Sequence, residues 1–158
     1  MPRINPNLWF DTQAEEAAEF YVSVFPNSSV TRVSYYGEAG PGPAGTVLTV
    51  DFALDGQRFT AINGGPEFTF DEAVSLLVDC ADQAEVDYYW ERLLEGGGKE
   101  SQCGWLKDKY GLSWQVVPAE LEELVASDDP ARADRVMRAM FGMGRLDLAA
   151  LRAAAHGG

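Results

Sequence analysis

Asp82-Gln83-Ala84-Glu85-Val86-Asp87-Tyr88-Tyr89-Trp90-Glu91-Arg92-Leu93 decides the fold, because the chain says much the same thing earlier, from Thr12-Gln13-Ala14-Glu15 onward. The later stretch carries apolar Val86, Tyr89, Trp90 and Leu93, the earlier one Ala17, Phe20, Tyr21 and Val24. Both follow the i, i+3, i+4, i+7 spacing that puts four side chains on one face of a helix. Each opens with an oxygen-bearing residue followed three positions later by Glu, the pattern of a capping box. Each also follows an apolar run ending in Asp, Leu8-Trp9-Phe10-Asp11 and Leu76-Leu77-Val78-Asp79. Downstream, Gly56-Gln57-Arg58-Phe59-Thr60-Ala61-Ile62 is echoed by Gly111-Leu112-Ser113-Trp114-Gln115-Val116-Val117. Strand, helix and closing strand recurring in one order read as a duplicated module.

The elements between these landmarks complete each copy. A strand is expected from Ile4 to Phe10 and a helix from Gln13 to Val24, stopped at Phe25 because the residue before a proline is pushed out of α geometry. Val30 to Tyr35 reads as a strand and Gly37 to Gly45 as a loop. Thr46 to Leu54 alternates, with Leu48, Val50, Phe52 and Leu54 on one face and Thr49 and Asp51 on the other, as a half-buried antiparallel strand does. Asp55-Gly56 is a hairpin signal into the strand Arg58 to Ile62. The second copy runs through a strand from Ala73 to Asp79, the helix, a Gly96-Gly97-Gly98 stop, and strands around 99–102, 104–107 and 112–117. After Pro118, Asp129-Pro130 starts a helix striped by Ala133, Val136, Met137 and Met140, and a last helix covers 146–154.

The expected architecture is therefore α+β: paired β-α-β-β-β modules with a C-terminal helical extension in one domain, module one at 3–65, module two at 66–118 and the helices at 119–155. Leu112, Trp114 and Val116 suit a helix-facing side, which turns Ser113 and Gln115 toward a cleft between the modules. By the repeat, Arg58 and Thr60 hold the matching places.

Composition narrows the function. Twelve Lys and Arg against 25 Asp and Glu give a net charge of −13 over 158 residues. Phosphate backbones and anionic membranes are bound by clustered bases, so neither nucleic acid nor a membrane surface is an expected partner. The N-terminal residues lack the apolar core of a signal peptide, no run reaches the length of a spanning helix, and Cys80 and Cys103 read as free thiols, all pointing to a cytoplasmic setting. Neither glycine-rich loop sits in the strand-Gly-x-Gly-x-x-Gly-helix context of a dinucleotide or methyl-donor fold. Glu120, Glu122 and Glu123 read as a solvated helix face, and Met137, Met140 and Met143 as core or dimer packing.

Several blocks together resemble a known family: Leu8-Trp9-Phe10-Asp11, Leu54-Asp55-Gly56-Gln57, Ala61-Ile62-Asn63-Gly64-Gly65-Pro66 with Phe68, Val86-Asp87-Tyr88-Tyr89-Trp90, Gln102-Cys103-Gly104-Trp105-Leu106-Lys107-Asp108, Ser113-Trp114-Gln115, Arg135-Val136-Met137 and Ala139-Met140. The chain is similar to the PhnB-like family, labelled demethylubiquinone methyltransferase, of the vicinal oxygen chelate superfamily (the glyoxalase, bleomycin-resistance and dioxygenase group). The resemblance implies the paired-module fold and a homodimer. In that superfamily a divalent metal is usually held by His and Glu in the cleft. The corresponding places here, Pro6 or Asn7, Thr60, Val74 or Ser75, and Gln115, carry neither His nor a carboxylate, and His156 stands two residues from the C-terminus. The expectation is a small organic ligand held without metal or other cofactor, lined by Asn7, Thr60, Ser75 and Gln115, with Asn63, Cys103 and Trp105 next. The rival readings are a metal-dependent lyase, isomerase or dioxygenase using unusual ligands, and an S-adenosylmethionine-dependent methyltransferase. Gln102-Cys103-Gly104-Trp105 reads mainly as a packed thiol, since no His stands near to activate it. Asn63-Gly64-Gly65-Pro66 reads equally as a ligand loop and as the linker that reverses the chain.

Overall fold

A computed structural model describes residues 2–126 and 128–157. The chain divides into two compact units, Met1–Phe70 and Asp71–Gly158. The first contains β1 (Asn7–Phe10), α1 (Ala14–Val24), β2 (Ser29–Tyr35), β3 (Val47–Leu54) and β4 (Gln57–Asn63). The second contains β5 (Ser75–Cys80), α2 (Gln83–Leu94), β6 (Lys99–Glu100), β7 (Trp105–Lys107) and β8 (Ser113–Pro118), then α3 (Glu120–Val125), α4 (Pro130–Phe141) and α5 (Leu148–Ala155). The sheets repeat one another: β1-β4-β3-β2 in the first and β5-β8-β7-β6 in the second. In each the outer pair β1/β4 or β5/β8 is parallel and the remaining pairs are antiparallel. The duplicated β-α-β-β-β module is thus present in order, direction and connection. Among the described residues no helix is long and apolar enough to cross a membrane.

Period-two alternation puts one side of each strand under the module's helix. Val50, Phe52, Phe59 and Ala61 are buried with Ala17, Tyr21 and Val24 of α1, and Phe52 stacks on Phe59 at 5.3 Å. In the second unit Leu106, Trp114 and Val116 are buried with Val86, Trp90 and Leu93 of α2. Asp55 and Gly56 both adopt positive φ, 46° and 87°, the geometry of a two-residue turn that matches strand twist. Buried Asp108 anchors the turn before β8, accepting from the backbone N–H of Tyr110 and Leu112 and from Trp114 Nε1 at 2.9 Å. Residues 66–70 belong to the first unit, where Phe68 and Phe70 pack edge-on against Trp9 and Phe10.

Two local expectations are corrected. The first strand begins at Asn7, not Ile4; Ile4 is 90% exposed, because Pro6 has no N–H to offer a ladder and contributes only its carbonyl, to Thr60 N–H. The first capping box does not form: Gln13 is the N-cap and its side chain caps no helical N–H, its Oε1 accepting from Thr12 N–H instead. In its place Asn63 Oδ1, from the end of β4, accepts the Ala14 N–H at 2.8 Å, while Asn63 Nδ2 donates to the Val47 carbonyl and its backbone carbonyl accepts the Tyr36 hydroxyl. Only the second pattern caps its helix, with Asp82 accepting from Glu85 N–H and Glu85 Oε2 reaching one residue past the N-cap to accept from Ala81 N–H.

The extension has its own core of Leu124, Val136, Leu146, Leu148, Leu151 and Ala155, against which Val117 of β8 packs. Val136 of the expected stripe is fully buried, and Ala139 and Met140 are partly buried against the same cluster. Asp129 caps α4, and Arg152 of α5 donates to both carboxylate oxygens of Glu120 of α3 through Nε and Nη2, which holds the Glu120 carboxyl below its ordinary pKa. The seam to the sheet is backbone. Cys103 and Gly104, both at positive φ (59° and 83°), donate their N–H groups to the carbonyls of Met143 and Gly144 at 2.8 and 2.9 Å. Gln83 at the start of α2 adds a second fastening, donating to the Leu146 carbonyl and accepting from Leu148 N–H.

The unequal capping of the two helices has measurable consequences. Asp82→Ala is expected to cost about 1 kcal/mol, and Thr12→Ala less than about 0.5 kcal/mol, in urea unfolding. Asn63→Ala, which orphans both the Ala14 N–H and the Val47 carbonyl, is expected to cost about 2 kcal/mol, more than either.

Candidate functional site

A sheet covered by one helix presents its other face, and there the polar candidates fall. In the first unit Asn7 lies in register with Thr60, and Asp51 with Thr60 from the other side. Thr60 Oγ1 donates to Asp51 Oδ1 at 2.7 Å, so Asp51 joins Asn7 and Thr60 on this face. Thr49 and Ser34 share a short hydroxyl–hydroxyl bond beside them.

In the second unit the position equivalent to Thr60 is Gln115, flanked by Leu77 of β5 and Trp105 of β7. The counterpart of Asn7 is therefore Leu77; Ser75 stands two pairs earlier, opposite Ser113. Ser75 reaches Gln115 all the same, its Oγ accepting from Gln115 Nε2 at 2.8 Å. Ser113 itself is buried, with an Oγ that has no hydrogen-bond partner among the described residues. Lys107 on this face is paired with Glu72, whose carboxyl it holds below the ordinary range.

A cavity of about 480 Å³ opens over this face. Its floor is sheet: Leu77 and Asp79 from β5, Cys103 and Trp105 at β7, Gln115 and Val117 from β8. Its wall is the extension: Leu121, Glu122 and Val125 of α3, and Met140 and Phe141 at the end of α4. Cys103, Trp105 and Gln115 of the sequence-derived candidates are thus brought together, with mainly apolar neighbours and an amide that can orient a polar group. Asp79, Glu122, Met140 and Phe141 were missed by sequence reasoning. Alternation from Leu77 places Asp79 on the lining face, but nothing local signals which sheet the extension covers.

Asn63 sits elsewhere, at the edge of a second cavity of about 520 Å³ in the first unit, with Asp11, Glu15, Tyr36, Gly64 and Gly65. Its hydrogen bonds are used in fastening α1, β3 and Tyr36. Gly64 leaves no room for a side chain, since a Cβ there would stand 2.3 Å from the Trp9 ring, and Trp9 Nε1 donates to the Gly65 carbonyl. This geometry accounts for the Asn63-Gly64-Gly65 motif as a structural lock on the indole.

The two thiols differ. Cys80 is buried, and desolvation, then the Glu85 charge, pushes it up to about 12. Cys103 is partly exposed at the cavity, held by its backbone.

The positions that the resemblance assigns to metal ligands carry an amide and a hydroxyl in each unit. Thr60 is already tied to Asp51, and Gln115 to Ser75. Among the described residues no three His, Cys, Asp or Glu side chains gather into a set that could hold a metal ion. This donor set does not fit a divalent transition metal, which prefers imidazole, thiolate and carboxylate. Nor do the glycine loops fit a methyl-donor nucleoside: that from Gly37 to Gly45 joins β2 to β3, and that at Gly64-Gly65 leads toward β5, so neither opens a helix.

Comparison with known proteins places this architecture. A family model described as 3-demethylubiquinone-9 3-methyltransferase matches residues 2–117, stopping just before the helical extension. Among solved structures the chain is similar to a PhnB protein from Bacillus cereus that carries the same methyltransferase description, with 38% identity and a TM-score of 0.67 over 75% of this chain and 100% of that one. Protein PA1353 from Pseudomonas aeruginosa, 19% identical, aligns with a TM-score of 0.60 over 73% of this chain and 96% of its own. The fosfomycin resistance protein FosX from Listeria monocytogenes, complexed with Mn(II) and sulfate, is 15% identical with a TM-score of 0.51, over 77% and 93% of the two chains, a likeness of fold. None of the curated proteins compared matches. The methyltransferase description is the family's name and assigns no reaction to this chain. By the match over 2–117 and the identity to the Bacillus cereus protein, the chain belongs to the PhnB-like 3-demethylubiquinone-9 3-methyltransferase family, within the glyoxalase-type vicinal oxygen chelate fold.

Proposed function

We propose that this protein binds a small organic molecule in the cavity over the second module's sheet, using Trp105 and Gln115 for contact and orientation and no metal. The observation that carries the reading is that Cys103, Trp105 and Gln115 line one 480 Å³ cavity whose other surfaces are mainly apolar, the usual make-up of a small-molecule site. The hydrogen bond to Ser75 fixes the Gln115 amide and leaves its carbonyl oxygen to accept from a ligand. Asn7 and Thr60, beside Asp51, serve as polar contacts on the first unit's helix-free face. A homodimer belongs to the same reading, supported by Tyr35 and Phe68, left 59% and 61% exposed in the first unit. So does a cytoplasmic setting, supported by two free cysteines.

Thermal-shift screening against a broad set of small organic molecules tests the binding. A ligand present at a hundred times its Kd stabilises by about 2.7 kcal/mol, enough for a clear rise in Tm. The rise is expected to vanish in Trp105→Leu and Gln115→Leu; equal shifts in those variants, or none in the parent with any compound class, would refute the site. Alkylation supplies an independent check. At pH 8 iodoacetamide is expected to label Cys103 alone in the folded protein, with Cys80 reacting only after unfolding, and a bound ligand should slow the Cys103 reaction.

A further inference from the structure

The charges around the cavity identify a class of ligand, on the footing that the cavity is a binding site. Two carboxylates line it, Asp79 from β5 and Glu122 from α3, and no Lys, Arg or His does. Among the described residues neither carboxylate has an ion-pair or hydrogen-bond partner for its side chain. Their neighbours differ in this respect: Glu120 on the same helix is held by Arg152, and Glu72 by Lys107. The rest of the surface offers apolar side chains and two aromatic rings, Trp105 and Phe141, the latter 58% exposed. Aromatic rings attract cations through their quadrupole, and unpaired carboxylates attract them by charge. An anionic ligand would meet only repulsion, within a protein of net charge −13.

We propose that the helical extension makes this cavity selective for an apolar organic cation, an amine or quaternary ammonium on an aliphatic or aromatic body. The division of labour is clear in the sequence. Trp105, Gln115 and Asp79 lie within the part of the chain that matches the family, whereas Glu122, Met140 and Phe141 come from the extension beyond residue 117. The sheet supplies a general floor, and the extension supplies the second carboxylate and the second ring.

The test uses the full chain and three probes that share a phenylbutyl body: 4-phenylbutylamine, 4-phenylbutanol and 5-phenylvalerate. By titration calorimetry the amine is expected to bind about tenfold more tightly than the alcohol, the sum of a partly exposed cation–π contact and a screened ion pair, with the carboxylate weakest. The advantage of the amine should shrink as salt is raised and disappear in the D79N/E122Q double variant, while the alcohol is unaffected. Both exchanges keep the side chain's size at exposed positions, so folding is undisturbed. Phe141→Ala should weaken all three probes. An alcohol or carboxylate that binds as tightly as the amine, or an amine advantage that survives D79N/E122Q, overturns the cation assignment and leaves the cavity as a binding site. If none of the three binds and light scattering shows a dimer that Phe141→Asp dissociates, the cavity is a contact between two copies, and both the assignment and the binding site fall.

Discussion

One helix can cover only one face of a four-stranded sheet. That constraint governs both modules, because a β-α-β-β-β unit contains a single helix and each of its strands must commit alternate residues to it. Phe52, Phe59, Trp114 and Val116 meet the commitment by lying buried beneath α1 or α2. The residues between them are released from packing, and they are the ones with chemistry: Asp51 and Thr60 in one unit, Gln115 and Trp105 in the other. A chain that repeats the module repeats the exposed face as well. In the second unit part of that face is walled by α3 and the end of α4, helices that the module does not contain, and the cover is incomplete, which makes a cavity.

Much of this was legible in the residues themselves. Helical spacing in Val86, Tyr89, Trp90 and Leu93, alternation from Leu48 to Leu54, and Asp55-Gly56 are local signals, and each produced the expected element. What escaped was decided over long chain distances. The cap of α1 comes from Asn63, 49 residues away, so the Thr12 pattern had no means of announcing that it would go unused. Gly64 is small because of Trp9, and the partner of Gln115 on β5 is Leu77 where a count along the repeat pointed to Ser75. Leu8 aligns with Ala61 and Leu76 with Trp114 only once strands have paired, and register is a property of the pair. The site was legible to the same degree: three candidates from the sheet met in one cavity, while Glu122 and Phe141 belong to helices whose docking is not written in their own periodicity.

The family name and the residues point different ways. Positions that the resemblance assigns to metal ligands carry side chains already engaged with their neighbours, Gln115 with Ser75 and Thr60 with Asp51. A side chain bound to its neighbour is a poor metal ligand and a good shape-setter, since its rotamer is fixed before anything arrives. The fold has kept the two matched faces and changed what they present, an instance of function residing in side chains grafted onto a common frame.

The joint between extension and sheet is made by the main chain. Cys103 and Gly104 turn their N–H groups outward in left-handed geometry, and the carbonyls of Met143 and Gly144 fill them. Amide and carbonyl groups are the same in nearly every residue, so such a socket accepts a segment by its path and tolerates wide change in its side chains. Only Gly104 is pinned, by a positive φ and by Leu146 and the Val116 carbonyl standing 3.0 Å from where a Cβ would be. A wall attached in this way can be rewritten residue by residue without being detached, so the surface it turns to the cavity is free to change while the floor stays as it is.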